Sequence, residues 1–186
     1  MMKDSPNVRI DVLVTRIPEF AGLLKRREVD IVVGEVTAFE GEAGVEVFPL
    51  RPQQVVFFCR ADHPLARRRK VDAKSFFSYP HVATELPPAI DRWLDQQRPA
   101  GAPTQGFSLV CSHYALLQRV VEESDAISGA QLSVVRPCIR AGRLGVVRFA
   151  ENQIQSPVGV AYLKTRQPTP MAKRLIDELR MVADES

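Results

Sequence analysis

The chain of 186 residues has few of the residues on which metal, redox or nucleophilic chemistry is usually built, with three cysteines and three histidines. Cys59, Cys111 and Cys138 are odd in number and widely spaced in apolar or strand-like surroundings. They form no Cys-x-x-Cys pair and read as reduced, buried thiols. His63, His81 and His113 are scattered, and Cys111-Ser112-His113 offers only two potential ligands, so no metal site is expected. A hydrolase reading of Ser112 beside His113 fails because adjacent residues point in different directions and no Gly-x-Ser-x-Gly elbow is present. A glycine-rich phosphate loop is also missing. These absences argue against an enzyme and imply no cofactor.

Long apolar runs are missing too. No stretch of about 18 apolar residues could cross a bilayer, and the polar, proline-containing start lacks the apolar centre of a signal peptide. A cytoplasmic protein without a membrane partner is the expectation. The net charge of +3 is small for this length and requires no nucleic-acid partner. Its densest source, Arg67-Arg68-Arg69-Lys70, reads as a solvated loop, because no further basic or aromatic residues line up with it.

What the chain does contain is alternation of helix-like and strand-like segments. Phe20, Leu23 and Leu24 recur at helical spacing, Lys25, Arg26 and Arg27 place cations at the negative end of the helix dipole, and Ile31, Val32 and Val33 form a β-branched run. This is a βαβ joint, and a run apolar on both faces suits a strand covered by helices on each side. Upstream, residues 8–14 set Val8, Ile10, Val12 and Val14 against Arg9, Asp11 and Leu13, which predicts a half-buried strand. Pro18 fits the first turn of the following helix, with Glu19 at its positive end.

Further strands are predicted at residues 55–59, 81–83, 107–111, 145–149 and 158–163, and a short strand and turn at Ala126-Ile127-Ser128-Gly129. A helix over 88–96 turns Ile90, Trp93 and Leu94 inward. Ser112 is the expected N-cap of a helix carrying Leu116, Leu117, Val120 and Val121. Thr169 as N-cap and Pro170 in the first turn open a last helix with Leu175, Ile176, Leu179 and Val182 on one face. Such alternation predicts an α/β fold with mixed, largely parallel sheets.

Asp30 and Gly34 around the β-branched run, Asp62-His63-Pro64-Leu65-Ala66 after a strand, and the 71–80 segment ending Tyr79-Pro80 stand in a particular order. Residues 112–128, Ala141-Gly142-Arg143-Leu144 and Thr169-Pro170-Met171-Ala172 continue it. In order and spacing the chain resembles, over nearly its whole length, the ligand-sensing domain of LysR-type transcriptional regulators. The resemblance implies a two-lobed, type 2 periplasmic-binding-protein-like fold. Lobe I would comprise 1–51 plus 154–186 and lobe II 52–153, with crossovers near 51–55 and 150–157. It also implies a homodimer or higher homo-oligomer that meets DNA only through a helix-turn-helix module absent from this chain.

The family's domain opens with a strand and a long helix before the segment matching residues 6–14, and here only residues 1–5 stand in front of it. Exposed sheet edge and core in lobe I are therefore expected, inviting dimerisation, swapping or disorder. Family contacts made by the first helix cannot be carried over.

In open α/β sheets ligands gather at the carboxyl ends of strands, where helix N-termini present free N–H groups. That rule selects Thr15, Arg16, Thr84, Glu85, Ser112, His113, Ser128 and Gly129 as the residues of an effector cleft. Each has a structural reading beside the functional one. Ser112 can simply cap a helix, worth about 1 kcal/mol; Thr84 can close a turn; Arg16 can pair with a ligand carboxylate or with Glu19. The resemblance implies a small metabolite, often a carboxylate or aromatic acid. A stand-alone small-molecule binding protein on the same fold is the alternative, and an enzyme on this fold lacks the residues its chemistry needs.

Overall fold

A computed structural model describes residues 7–101, 106–149, 154–166 and 168–185. In chain order the elements are α1 (Phe20–Lys25), β1 (Val32–Glu35), β2 (Val45–Pro49), β3 (Gln53–Arg60), α2 (Ala73–Phe76), β4 (Val82–Ala83), α3 (Pro88–Gln97) and β5 (Leu109–Val110). There follow α4 (Tyr114–Glu122), β6 (Ser128–Gln131), α5 (Leu132–Arg140), β7 (Leu144–Val147), β8 (Ile154–Ser156), β9 (Val158–Leu163) and α6 (Pro170–Glu185). They fall into two compact units, Met1–Pro52 with Pro157–Ser186, and Gln53–Ser156. Of the segments read from sequence as crossovers and opening, residues 150–153 and 1–5 lie outside the described residues.

In the first unit β9 lies between β1 and β2, antiparallel to both. Phe20 and Leu24 from α1 pack with Val32, Phe39, Val45 and Ala161. The helical spacing read from sequence is thus the buried face of α1. The helix ends because Arg27 takes φ 58°, with Arg27 N–H donating to Leu24 O and Glu28 N–H to Leu23 O, both at 3.0 Å. This is the Schellman arrangement, with arginine where glycine is usual. Thr169 caps α6 as expected, its Oγ1 accepting from Ala172 N–H at 3.2 Å. Val182, expected on the buried face, is instead 60% exposed near the helix end.

Residues 8–14 correct one expectation. They belong to no strand of the structure, and Val12 and Val14 are 81% and 77% exposed. Alternation makes a segment competent to pair, but a strand exists only where a second edge accepts its N–H and C=O groups. Among the described residues no such edge meets this arm.

The second unit is organised around β3, which pairs antiparallel with β6, β7 and β8. Alternate residues of β3 enter two cores. Phe57 and Cys59 join Leu65, Phe76, Leu94 and Phe149 on one side, while Phe58 joins Leu117, Val121 and Val135 on the other. A strand apolar on both faces is thereby buried on both, at roughly 1.5–3 kcal/mol for each large side chain removed from water. Ile90 and Trp93 accompany Leu94 from α3 as expected, and the Phe57 and Trp93 rings stack at 6.3 Å.

Two local devices set the loops before α3. Asp72 caps α2, accepting from Ser75 N–H at 2.7 Å, and that bond holds its carboxyl below the usual range. His63 is fully buried, its Nδ1 accepting from Leu65 N–H at 3.1 Å, which orders the turn around Pro64.

The fold is α/β with mixed sheets. The three-stranded and four-stranded sheets are built from antiparallel pairs, whereas β4 and β5 pair parallel and two parallel bridges join Val71 to Phe149 and His81 to Ile127. The antiparallel share exceeds what helix–strand alternation predicts, because β9 inserts between β1 and β2 from the far end of the chain. Such a long-range return leaves no local periodicity.

Candidate functional site

The candidate residues divide between the two units. Thr15 and Arg16 precede α1 in the first. Thr15 Oγ1 donates to Glu19 Oε2, and the Arg16 guanidinium meets Glu19 Oε1 at 2.9 Å. These contacts hold the Glu19 carboxyl below its ordinary range, with the Thr15 bond the larger cause. Of the two readings of Arg16, the Glu19 pair is the one the structure displays.

In the second unit three chain segments run side by side and in one direction. β4 lies in the middle, paired with β5 on one side and, through the His81–Ile127 bridge, with the segment leading into β6 on the other. Val82 N–H donates to Ile127 O at 2.9 Å, and Cys111 N–H to Ala83 O at 3.0 Å. Their carboxyl ends therefore lie together, which brings Thr84 and Glu85, Ser112 and His113, and Ser128 and Gly129 to one edge. Thr84 and Glu85 are half-buried, while Ser112 and His113 are exposed.

The cap of α4 is displaced from its expected place. His113 is the N-cap, its Nδ1 accepting from Leu116 N–H at 3.2 Å, and α4 begins at Tyr114. Ser112 stands one residue outside, so its hydroxyl is not committed to that helix end.

Ser128 and Gly129 also differ from expectation. They open β6 instead of forming a turn, opposite Phe58 and Phe57 of β3. Ser128 is 4% exposed. The strand that ends at Ile127 beside β4 continues directly into the ladder with β3, so the turn signal carried by Ser-Gly is overridden by pairing.

Sequence reasoning missed Tyr114 at the first position of α4. Its hydroxyl is buried, and burial, with Cys138 and Glu122 nearby, pushes the phenol up to about 12. Its position directly after Ser112-His113 was the available signal. Arg143, named in sequence only as part of a motif, ties α5 to α4 by donating to Cys138 Sγ and Glu122 Oε1, both at 3.1 Å.

No group of three or more His, Cys, Asp or Glu among the described residues could hold a metal ion, and no described helix is long and apolar enough to cross a membrane. The edge can supply hydroxyls, an imidazole, a carboxylate and the free amides of α4, a nine-residue helix. Such a set has the chemistry needed to bind and orient a small polar molecule.

Comparison with known proteins gives a consistent picture. The model of the LysR substrate binding domain matches residues 1–184. The SDS degradation transcriptional activation protein of Pseudomonas sp. (strain ATCC 19151) is 29% identical over 174 residues, covering 91% of this chain. The chain spans about half the length of the curated relatives it matches, 56% of that one and 54% of the regulator GbpR of Azospirillum brasilense. Among solved structures, the CcmR regulatory domain of Synechocystis PCC6803 in complex with 2-PG superposes with a TM-score of 0.77 at 16% identity, covering 98% of this chain and 86% of that one. The effector binding domain of QuiR in complex with shikimate gives 0.69 at 18% identity, covering 92% and 79%. The named relatives are transcriptional regulators, and the structural likeness extends through both units. The chain belongs to the LysR substrate binding domain family.

Proposed function

We propose that this chain is the sensor of a cytoplasmic LysR-type DNA-binding regulator, and that its effector is a small anion, a carboxylate in the first instance. The observation that supports this reading is the gathering of Thr84, Glu85, Ser112 and His113 at the carboxyl ends of two adjacent parallel strands, at the positive end of α4. The free amides and the Ser112 hydroxyl receive the anion, and Glu85 and Thr84 accept from hydroxyl groups of the same ligand. Ser128 and Gly129 supply backbone beside them.

Thr15 and Arg16 act from the other lobe, with Arg16 exchanging Glu19 for the effector carboxylate. Lobes of residues 1–51 plus 154–186 and of 52–153 then respond together. The effector binds one arrangement of the two better than the other, and a ten-fold preference, about 1.4 kcal/mol, shifts that equilibrium appreciably. Paired sensors pass the shift to the DNA-binding modules of the regulator.

Calorimetric titration of the chain with a panel of small carboxylates, starting with shikimate, tests the reading. Binding is expected from at least one acid and from none of the corresponding amides. Ser112→Ala is expected to weaken it about ten-fold, or 1.4 kcal/mol. Equal affinity for acid and amide, or full affinity in Ser112→Ala, would remove the proposed site.

A further inference from the structure

Arg67, Arg68, Arg69 and Lys70 are all exposed, and the folded chain adds to them two cations that the sequence keeps apart. The Arg148 guanidinium reaches the carbonyl oxygen of Arg68 at 3.5 Å, and Val71 N–H donates to Arg148 O at 2.9 Å. The Arg68 guanidinium in turn donates to Ser75 Oγ at 2.9 Å, beside exposed Lys74 in α2. The basic run therefore does not stand alone as a solvated loop, because cations from three segments meet in one patch of the second unit. Against these six cations stands the carboxylate of Asp72, already engaged as the cap of α2, while Asp62 and Asp125 both pair with Arg60. The whole chain nets only +3, so the remainder of it is net acidic and the positive charge is concentrated here.

The backbone under the patch is held at both ends. His63, Leu65 and Val71 are buried, Ala66 N–H donates to His63 O at 3.0 Å, and Arg68 N–H donates to Leu65 O at 3.2 Å. The charged heads are thus presented on an ordered loop, which lowers the entropy cost of a contact. Arginine predominates among them, and its planar fork matches phosphate oxygens. Among the described residues, none of the large apolar side chains that stand exposed lies in 61–76 or at 148. A protein partner needs an apolar centre to its interface, and a single-stranded nucleic acid needs exposed aromatic rings on which to stack. The phosphate backbone of a duplex needs only cations and donors.

We propose that the patch formed by Arg67, Arg68, Arg69, Lys70, Lys74 and Arg148 is a sequence-independent contact to the phosphate backbone of duplex DNA, made by the sensor itself in addition to any helix-turn-helix module. The inference rests on the regulator reading, because a weak contact matters where the sensor is carried next to DNA. Non-specific contacts of this kind have Kd values on the order of 1–100 μM at physiological salt. A short tether supplies an effective concentration of about 1 mM, so even a Kd of roughly 100 μM leaves the contact about nine-tenths occupied.

Fluorescence anisotropy of a labelled duplex of arbitrary sequence, titrated with the chain alone and without effector, tests this. Binding is expected at about 50 mM salt, with a log–log salt slope between about −3 and −5 for roughly four neutralised phosphates. Arg67→Glu with Arg69→Glu is expected to weaken it at least ten-fold. Lys164→Glu with Lys173→Glu, an equal change of net charge on exposed residues of the first unit, is expected to change it less than about two-fold. Arg67→Gln with Arg69→Gln, the milder pair, is expected to make the slope shallower by about 2. Circular dichroism melting separates lost contacts from lost folding in each variant. No binding at 50 mM salt, equal losses from the two Glu pairs, or an unchanged slope in the Gln pair would overturn the proposal. Patch-dependent binding to phosphatidylserine vesicles without binding to the duplex would also overturn it, assigning the patch to a membrane surface. The carboxylate titration reads the effector site separately, so failure here leaves that result standing, and failure there leaves the duplex titration standing.

Discussion

Gly34 of β1 lies against the ring of Phe20, so close that a Cβ on Gly34 would stand 2.6 Å from Cε2 of Phe20. The missing side chain is what lets α1 close over the sheet, and the same ring stacks on Phe39 at 6.2 Å. Gly34 was visible in the sequence as the end of a strand. Its partner was not, because the two are joined only by packing.

Gly34→Ala is therefore expected to destabilise the chain by about 1–3 kcal/mol, the usual cost of forcing one methyl into a filled core. Phe20→Leu in the same background should recover part of that loss. The urea midpoints of the two single variants and the double variant measure the coupling.

Arg27 occupies the left-handed position that ends α1 at φ 58°, and Gly142 occupies the equivalent position after α5 at φ 69°. A side chain with a Cβ is strained there by about 1–2 kcal/mol, part of which glycine gives back through the entropy of the unfolded chain. Arg27→Gly is expected to raise stability by about 0.5–1 kcal/mol, and Gly142→Ala to lower it. Thermal melts of the pair, read against each other, test the shared geometry.

Burial, with the Arg98 charge as a second cause, brings the His81 imidazole down to about 4 from 6.5. The ring sits 4.6 Å from that of Phe76 and 5.5 Å from that of Phe77. In the unfolded chain His81 binds a proton near pH 6.5 and in the folded chain only near 4. Its contribution is therefore complete above pH 6.5, lost as pH falls between those values, and constant below. The loss is at most about 3 kcal/mol. His81→Leu is expected to flatten urea stability across that window, leaving a smaller slope from His63, whose pKa burial also lowers.

Cys59 is fully buried and burial pushes its thiol up to about 12, while Cys138 is buried and Cys111 half-buried. Only the thiolate reacts with alkylating reagents. Iodoacetamide at pH 8 should label Cys111 in the native chain, with Cys59 and Cys138 following after denaturation. Peptide mapping by mass spectrometry reads the order.

Local signals were legible where one stretch of chain both specifies and satisfies an element. The periodicity that gives α3 its apolar face and the Thr169 cap are each contained in one stretch of chain. The α4 cap was misplaced by one residue: Ser112 is the commoner capping residue type, but the helix begins at Tyr114 and His113 caps it. Ser128 was read as a turn because its neighbour is glycine, although pairing with Phe58 makes it a strand.

By itself the sequence determined the helix faces and the order of motifs that identifies the family, whereas the two-sided cover expected of Ile31, Val32 and Val33 is absent at Val33, which is 47% exposed. The faces and the motif order follow from periodicity, capping and spacing, which are local along the chain. Tertiary structure decided that β9 lies between β1 and β2, that three loop pairs share one edge beside β4, and that residues 8–14 have no strand partner among the described residues. Backbone hydrogen bonds between distant strands are chemically the same for every residue except proline. Nothing in a side-chain pattern names the partner, and only the folded chain can choose it.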